Sequence, residues 1–392
     1  MKEGWTYKKL GEVFRTYAGG TPSKTNKANY NNGTIPWIRS GEVCRKYITE
    51  SELFISEEGL KNSSAKYYPI NTVLVAMYGA TAAQSGILKF EATSNQAVCG
   101  ILPHKDFVPE FVYAFFTYIK DELASQAQGG AQPNISQEKI KKILFPCIPL
   151  SEQQRIVERL DSAFENIDKL KANAEKQLAE ARILFQKSLS KAMEPKEGWE
   201  EKNFKELCTF VRGPFGGSLT KSCFVPSGYA VYEQQNAIYN RFIFRYFINE
   251  EKFKSMIRFA VKPGDLIMSC SGTIGKVAIV PEGAQEGIIN QALLKLTPKS
   301  VLDKYYLKYL MESSFFDDLI AKYSDGAAIK NIASVAILKE IQLSIPPLTV
   351  QQRIVERLDS LSENVRKYEK IQRQIISECD ALKQALLRKV FE

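Results

Sequence analysis

Histidine is almost missing from this chain of 392 residues: His104 stands alone, between Pro103 and Lys105. That leaves little room for a histidine-based triad or a His-rich metal site, and its setting reads as a loop. Seven cysteines occur (Cys44, Cys99, Cys147, Cys208, Cys223, Cys270 and Cys379), and none forms a C-x-x-C pair. An odd count at wide spacings fits a reducing compartment and gives neither a disulfide framework nor a zinc site. Lys2-Glu3-Gly4-Trp5 after Met1 does not read as a signal peptide. No apolar run reaches the roughly 18 residues of a membrane span. The Asn/Asp-Pro-Pro-Tyr/Phe signature of amino-methyltransferases is missing, and no carboxylate pair followed by Glu-x-Lys marks a nuclease. Gly272-Thr273-Ile274-Gly275-Lys276 is not a phosphate loop, because its glycines stand too close together and Val277 follows the lysine. It reads as a hairpin turn. These absences predict a chain without catalysis, metal or cofactor.

What is present is an ordinary globular composition, 44% hydrophobic and 25% charged, with a net charge of +9. The length suits two or three units of typical domain size. A basic excess favours an acidic partner, of which nucleic acid is the commonest. It also suits a basic protein whose charge only aids solubility.

An internal repeat organises the chain. Gln153–Ser162 and Gln351–Ser360 both read QQRIVERLDS. Weaker matches flank them in order: Lys2-Glu3-Gly4-Trp5 with Lys196-Glu197-Gly198-Trp199, Gly19-Gly20-Thr21-Pro22-Ser23-Lys24 with Gly216-Gly217-Ser218-Leu219-Thr220-Lys221, Asn95-Gln96-Ala97 with Asn290-Gln291-Ala292, and Pro149-Leu150 with Pro347-Leu348. The period is just under 200 residues. Each half is a globular segment followed by a helical one, giving expected boundaries of 1–150, 151–195, 196–348 and 349–392.

The helical segments begin at Ser151-x-x-Gln154 and Thr349-x-x-Gln352, which read as capping boxes. Apolar residues then recur in alternating steps of three and four. The first seam is Ile156, Leu160, Ala163, Ile167, Leu170, Ala174, Ala181 and Leu184, with Gln177 inserted. The second is Ile354, Leu358, Leu361, Val365, Tyr368, Ile375, Cys379, Leu382 and Leu386, with Gln372 inserted. Each helix should be on the order of 60 Å long. Such a seam needs a partner, and the duplication supplies one in the same chain. Antiparallel pairing of the two helices is expected ahead of packing on their own domains or pairing between chains.

The globular segments read as mixed and mostly β. Val73–Met77 and Asp265–Met268 look like short buried strands running into small-residue turns, and Pro109–Lys120 and Asp303–Met311 like short aromatic-rich helices. By segment the net charge is +4 for 1–150, 0 for 151–195, +3 for 196–348 and +2 for 349–392. The excess thus lies mainly in the two globular segments, as two contact sites along one duplex require. The expected fold class is α+β: two mixed α/β domains separated by two long antiparallel coiled-coil helices in a pseudo-twofold repeat.

The duplicated P-L-x-x-Q-Q-R-I-V-x-x-L-D at the head of a long helix resembles the conserved regions of type I restriction–modification specificity subunits. In the first half the resemblance extends to Gly19–Lys24, Ile35-Pro36-Trp37-Ile38, Asn95-Gln96-Ala97 and Gln132-Pro133-Asn134-Ile135. In the second it extends to Gly272-Thr273-x-Gly275 and Lys330-Asn331-Ile332. Two departures stand out. Gly79-Ala80-Thr81-Ala82-Ala83 replaces the Gly-Thr-x-Gly of the second half, and Glu233-Gln234-Gln235-Asn236 lies near where the first half has its Pro-Trp strand. The resemblance implies that each domain reads one half of a split double-stranded DNA target. It also implies that the helices fix the half-site spacing and dock two methyltransferase subunits, and that a motor-nuclease subunit joins to cut. The family's subunit binds no S-adenosylmethionine or ATP.

If the domains read different half-sites, residues common to both cannot discriminate. Shared positions should build the fold or grip phosphate, and base readers should lie where the halves diverge. The shared candidates are Lys24 with Lys221, Thr81 with Thr273, Asn95 with Asn290 and Gln96 with Gln291, together with Lys276. Asn95 and Gln96 equally suit a hydrogen-bonding pair that fastens a strand. The base-reading candidates are Asn26, Arg39, Ser40 and Arg45 in the first half, and Gln234, Gln235, Asn236, Arg241 and Arg245 in the second. Arginine can fork onto guanine, and Asn or Gln onto adenine, in the major groove. Two other classes of function compete: a DNA methyltransferase or nuclease with an unfamiliar site, and a coiled-coil adaptor with incidental charge.

Overall fold

A computed structural model of the chain describes residues 2–125, 135–271, 273, 275–323 and 335–392. By its contacts the chain divides into two units, Met1–Ala174 with Gln374–Glu392, and Glu175–Arg373. Each unit therefore holds one globular segment and part of each long helix, a partition that cuts across the boundaries read from the sequence.

In the first unit the main sheet has five strands in the order Thr16–Ala18, Val98–Ile101, Val73–Ala76, Ser85–Leu88 and Tyr47–Ile48; only its last pair is parallel. A second sheet sets Ile35–Ile38 between Phe54–Ile55 and Thr93–Ser94. A ribbon of Thr6–Lys9 and Leu144–Cys147 closes the domain. The second unit repeats the plan. Its main sheet runs Cys208–Arg212, Leu293–Pro298, Leu266–Ser269 and Val277–Ile279. Its second sheet runs Phe224–Val225, Phe247–Ile248, Tyr229–Tyr232 and Gly287–Ile289, and its closing ribbon joins Glu200–Asn203 to Gln342–Ile345. Leu266–Ser269 and Val277–Ile279 pair antiparallel, as the two arms of the expected hairpin. The aromatic-rich helices are Pro109–Tyr118 and Lys304–Met311, the latter capped by Asp303.

The long helices run Leu150–Met193 and Leu348–Phe391, 44 residues each. Ser151 and Thr349 already lie inside the helix, so the capping boxes are not formed as read; Pro149 and Pro347 supply the first carbonyls instead. The neighbouring glutamine does the fastening. Gln153 is fully buried: its Oε1 accepts from Val108 N at 2.9 Å, and its Nε2 donates to Asp106 O and Ile148 O. Gln351 repeats this with Asp303 N, Val301 O and Pro346 O. Each glutamine thereby ties the first turn of a long helix to the loop before a domain helix. The shared aspartate of the motif makes a second tie, Asp161 to Lys46 Nζ and Asp359 to Tyr309 Oη. Partial burial draws the Lys46 pKa down, but its hydrogen bond and attraction to Asp161 outweigh this and raise it.

Within each unit the two helices lie antiparallel. The first unit pairs Asp168 with Lys383 and Lys171 with Asp380, and the second pairs Gln177 with Tyr368 and Arg182 with Glu369. The seam is only partly the one expected. Ile156, Leu160, Ile167, Ala174, Leu358 and Cys379 are buried, and Ile354, Leu361, Val365, Ile375 and Leu386 half-buried. Leu170, Leu184 and Leu382 are exposed, at 51%, 63% and 49%. A strict heptad drifts about 20° per repeat on a straight helix, so a stripe fixed at one end leaves the contact face at the other. The buried residues at the far ends are Leu189 and Met193 on the first helix, and Leu387 and Phe391 on the second. Both pairs dock into a domain core. Leu189 and Met193 join Phe204, Leu207, Phe316 and Leu358 in the second unit. Leu387 and Phe391 join Phe111, Phe115, Phe145 and Leu160 in the first.

Candidate nucleic-acid interface

The small second sheet carries the polar loops in both domains. Ile38 O accepts from Asn95 N at 3.0 Å, and Tyr232 O accepts from Asn290 N at 3.0 Å. Arg39 and Glu233, the next residues along, are thus the same place on two copies of one frame. At both, the backbone amide is capped by a side chain three residues on: Arg39 N donates to Glu42 Oε1 at 2.8 Å, Glu233 N to Asn236 Oδ1 at 2.7 Å. Glu233–Asn236 therefore follows the counterpart of the Pro-Trp strand rather than standing in for it.

A charge-inverted ion pair closes each loop. Arg39 Nη2 meets Glu52 Oε2 in the first domain. In the second, Arg245 forks onto Glu233, with Nε to Oε2 at 3.0 Å and Nη2 to Oε1 at 2.9 Å. Glu52 and Arg245 both stand two residues before equivalent strands, Phe54–Ile55 and Phe247–Ile248. The arginine thus enters from opposite sides of the same loop. Glu233 holds the Arg245 guanidinium in its charged form, and Arg245 also lies over the Tyr246 ring, 5.5 Å from its centroid.

The other divergent candidates separate into two groups. Asn26, Gln235 and Asn236 serve local structure. Asn26 Oδ1 caps Ala28 N and its amide reaches Glu58; Gln235 Nε2 donates to Glu233. Asn236 is 1% exposed and its amide donates to Arg241 O and Ile243 O, so it builds the turn that presents Arg241. Arg45 and Arg241 are exposed, and Ser40 is half-buried at the turn after Arg39. Gln234 is half-buried, and its Oε1 has no hydrogen-bond partner among the described residues.

Of the shared residues, Asn95 and Asn290 fasten strands. Asn95 Oδ1 accepts from Ala97 N at 3.1 Å and Asn290 Oδ1 from Ala292 N at 3.0 Å. Gln96 bonds Thr21 of the glycine loop, while Gln291 is exposed. Lys24, Lys221, Thr273 and Lys276 are exposed, and Thr81 is half-buried in the turn Gly79–Thr81. The glycine loops also align differently from the sequence match. A Cβ on Gly19 would collide with Ser94 and Asn95, and one on Gly213 with Asn290. Gly213, not Gly216, is therefore the counterpart of Gly19. In each domain the glycine loop, the Asn-Gln turn and the loop after the central strand converge. Gln132–Asn134 and Lys330–Ile332 lie outside the described residues.

Reading the sequence missed Glu52 and Arg212. Glu52 is visible only once two strands are paired. Arg212 follows a strand and precedes Gly213-Pro214; its Nε and Nη1 have no hydrogen-bond partner among the described residues, and it lies over Phe215. The basic residue next to a Gly-Pro step was the available signal. Among the described residues no three His, Cys, Asp or Glu side chains gather to hold a metal ion. Burial lifts the thiols of Cys99 and Cys208 to about 12, which suits packing and not reactivity.

Two copies of one frame with unlike polar loops define a recognition protein with paired binding heads. The model of the type I restriction modification DNA specificity domain matches residues 2–180 and again 196–376, and the chain belongs to this family. Relatives include the EcoR124I/EcoR124II specificity subunit of Escherichia coli, 33% identical over 167 residues, which are 41% of each chain. The EcoKI specificity subunit of Escherichia coli K12 is 24% identical over 100% of this chain and 89% of its own. In fold the chain resembles the HsdS subunit from Thermoanaerobacter tengcongensis, with a TM-score of 0.62 at 18% identity, covering 100% of this chain and 97% of that one. It also resembles a chain from a structure described as "Structural basis underlying complex assembly and conformational transition of the type I R-M system", with a TM-score of 0.79 at 18% identity, covering 100% and 98%.

Proposed function

We propose that this chain is the non-catalytic subunit that gives a type I restriction–modification complex its bipartite DNA target. Segments 1–150 and 196–348 act as the two reading heads. The helical segments take on half-site spacing and the docking of two methyltransferase subunits; motor-nuclease subunits join that assembly. Its place of work is the cytoplasm, where the chromosome lies. No described helix is long and apolar enough to cross a membrane.

The observation that carries this reading is the inverted ion pair. A frame held in common and a loop of opposite polarity are what two heads with different half-sites need, because base contacts must differ while phosphate contacts need not. Within this reading Arg39, Ser40 and Arg45 read one half-site, and Arg241, Arg245 and Gln234 the other. Lys24, Lys221, Thr273 and Lys276 meet phosphate.

Selection of bound duplexes from a random library, using the chain assembled with its methyltransferase partners, tests this. The expected result is two defined blocks separated by a fixed undefined gap. Arg39→Ala should blur one block only, and Arg241→Ala the other only. Uniform loss of binding on all sequences would reassign these arginines to phosphate. Methyl transfer from labelled S-adenosylmethionine by the purified chain alone would instead make it an enzyme. A flat salt dependence of binding would favour the adaptor reading, since phosphate contacts release counterions.

A further inference from the structure

Equivalent positions on the two long helices carry opposite charges. The duplicated Gln153–Ser162 and Gln351–Ser360 fix the correspondence along both helices, so Lys171 matches Glu369 and Arg182 matches Asp380. In the first unit Lys171 Nζ donates to both oxygens of Asp380, at 2.7 and 2.8 Å. In the second, Arg182 Nε donates to Glu369 Oε1 at 2.6 Å. By the repeat these are one contact made twice, each joining a 171-type position to a 182-type position. Both cations lie on the first helix and both anions on the second.

A duplicated helix has another available partner, the same helix of a second copy. Two first helices set antiparallel in this register would place Lys171 of each against Arg182 of the other. Two second helices would place Glu369 against Asp380. They would also place Arg366, the match of Asp168, against Lys383, which in the first unit bonds Asp168 at 2.6 Å. The apolar seam adds discrimination of its own, since Ala163, Ala174 and Ala181 match Leu361, Gln372 and Cys379, and the charges act beside it. Pairing of like helices would join two copies, and charges flanking a helical seam are the means by which helices choose partners.

We propose that Lys171, Arg182, Glu369 and Asp380 select the pairing: they direct a first helix to a second helix and disfavour first-with-first and second-with-second pairing between two copies. This inference stands on the helices alone and is independent of any DNA contact.

The test is the double variant Arg182→Glu/Glu369→Arg in the full chain. Each helix then carries one charge of each sign. The pair at 182 and 369 is reversed but kept, the pair at 171 and 380 is untouched, and like-with-like pairing becomes complementary at these positions. The control is the full reversal Lys171→Glu/Arg182→Glu/Glu369→Lys/Asp380→Arg, which restores one sign per helix. Each protein is unfolded in denaturant, refolded at high concentration and sized by light scattering after gel filtration. The double variant should yield on the order of tenfold more dimer than wild type, through pairing of like helices, from the summed loss of like-charge repulsions. The full reversal should stay as monomeric as wild type. A double variant no more dimeric than the full reversal overturns the proposal.

Discussion

The two domains of this chain agree where they grip the long helices and disagree where their polar loops lie. Gln153 and Gln351 make the same three hydrogen bonds to matching backbone groups. Phe391 and Met193 occupy matching sockets. Yet Arg39–Glu52 and Glu233–Arg245 occupy one place with inverted charge. A buried amide tolerates little change, because each partner removed leaves an unpaired group away from water. A surface ion pair fixes a loop at small energetic cost and leaves both signs open. Duplication followed by divergence would therefore preserve the grip and vary the loops.

The comparison breaks hardest at the sockets. Phe391 packs against the rings of Trp5, Phe111, Phe115 and Tyr118. Phe391→Ala should cost about 3–5 kcal/mol, and Met193→Ala about 2–5, by the loss of buried area and the cavity left behind. Denaturant unfolding reads both. A near-zero cost at Phe391 would mean that the end of the second helix does not seat in this core.

Next come the glutamines. Gln153→Ala leaves Val108 N, Asp106 O and Ile148 O without their partner, and Gln351→Ala does the same in the second domain. Each should cost about 2–3 kcal/mol, the penalty for buried polar groups left unpaired. The sharper expectation is equality: the two unfolding free energies should fall by the same amount. Unequal losses would show that the repeat is preserved in geometry but not in energy.

This grip was half legible in the sequence. The ten-residue identity announced the helices, and their spacing announced a seam. Which glutamine does the fastening was not legible, because Gln153 and Gln154 are adjacent and only the fold decides which faces the domain. The ends of the seam were misread for a geometric reason. Leu184 and Leu382 obey a heptad, but the buried face near those ends runs instead through Leu189 and Met193 and through Leu387 and Phe391. Similarly, Gly216 matched Gly19 by its neighbours, while the close approach to Asn290 belongs to Gly213. The loops were legible in location and not in detail. Asn236 had the right composition for reading bases, yet its buried amide holds up the turn on which Arg241 sits. Glu52 carries no motif at all and gains meaning only from the strand pairing that sets it beside Arg39.

The smallest effect on stability, and the most direct probe of the difference between the domains, lies in the ion pairs themselves. Arg39→Glu combined with Glu52→Arg and with Glu42→Gln, which replaces the carboxylate 3.7 Å from Arg39 Nε by a neutral cap like Asn236, gives the first domain the polarity of the second while keeping opposite charges together. The unfolding midpoint should stay near wild type, because Arg39 and Glu52 are largely exposed, at 46% and 66%. What should change is the DNA sequence selected: one block altered, the other intact, since the second domain keeps Glu233 and Arg245. Glu233→Ala should be less well tolerated than Glu52→Ala. Glu233 is 14% exposed and its carboxylate also receives Gln235, so its loss disturbs the turn as well as freeing an arginine. If the swapped pair altered neither block, the loops would be equivalent fasteners of opposite sign, and the reading of sequence would have to reside in Arg45, Arg241 and their neighbours.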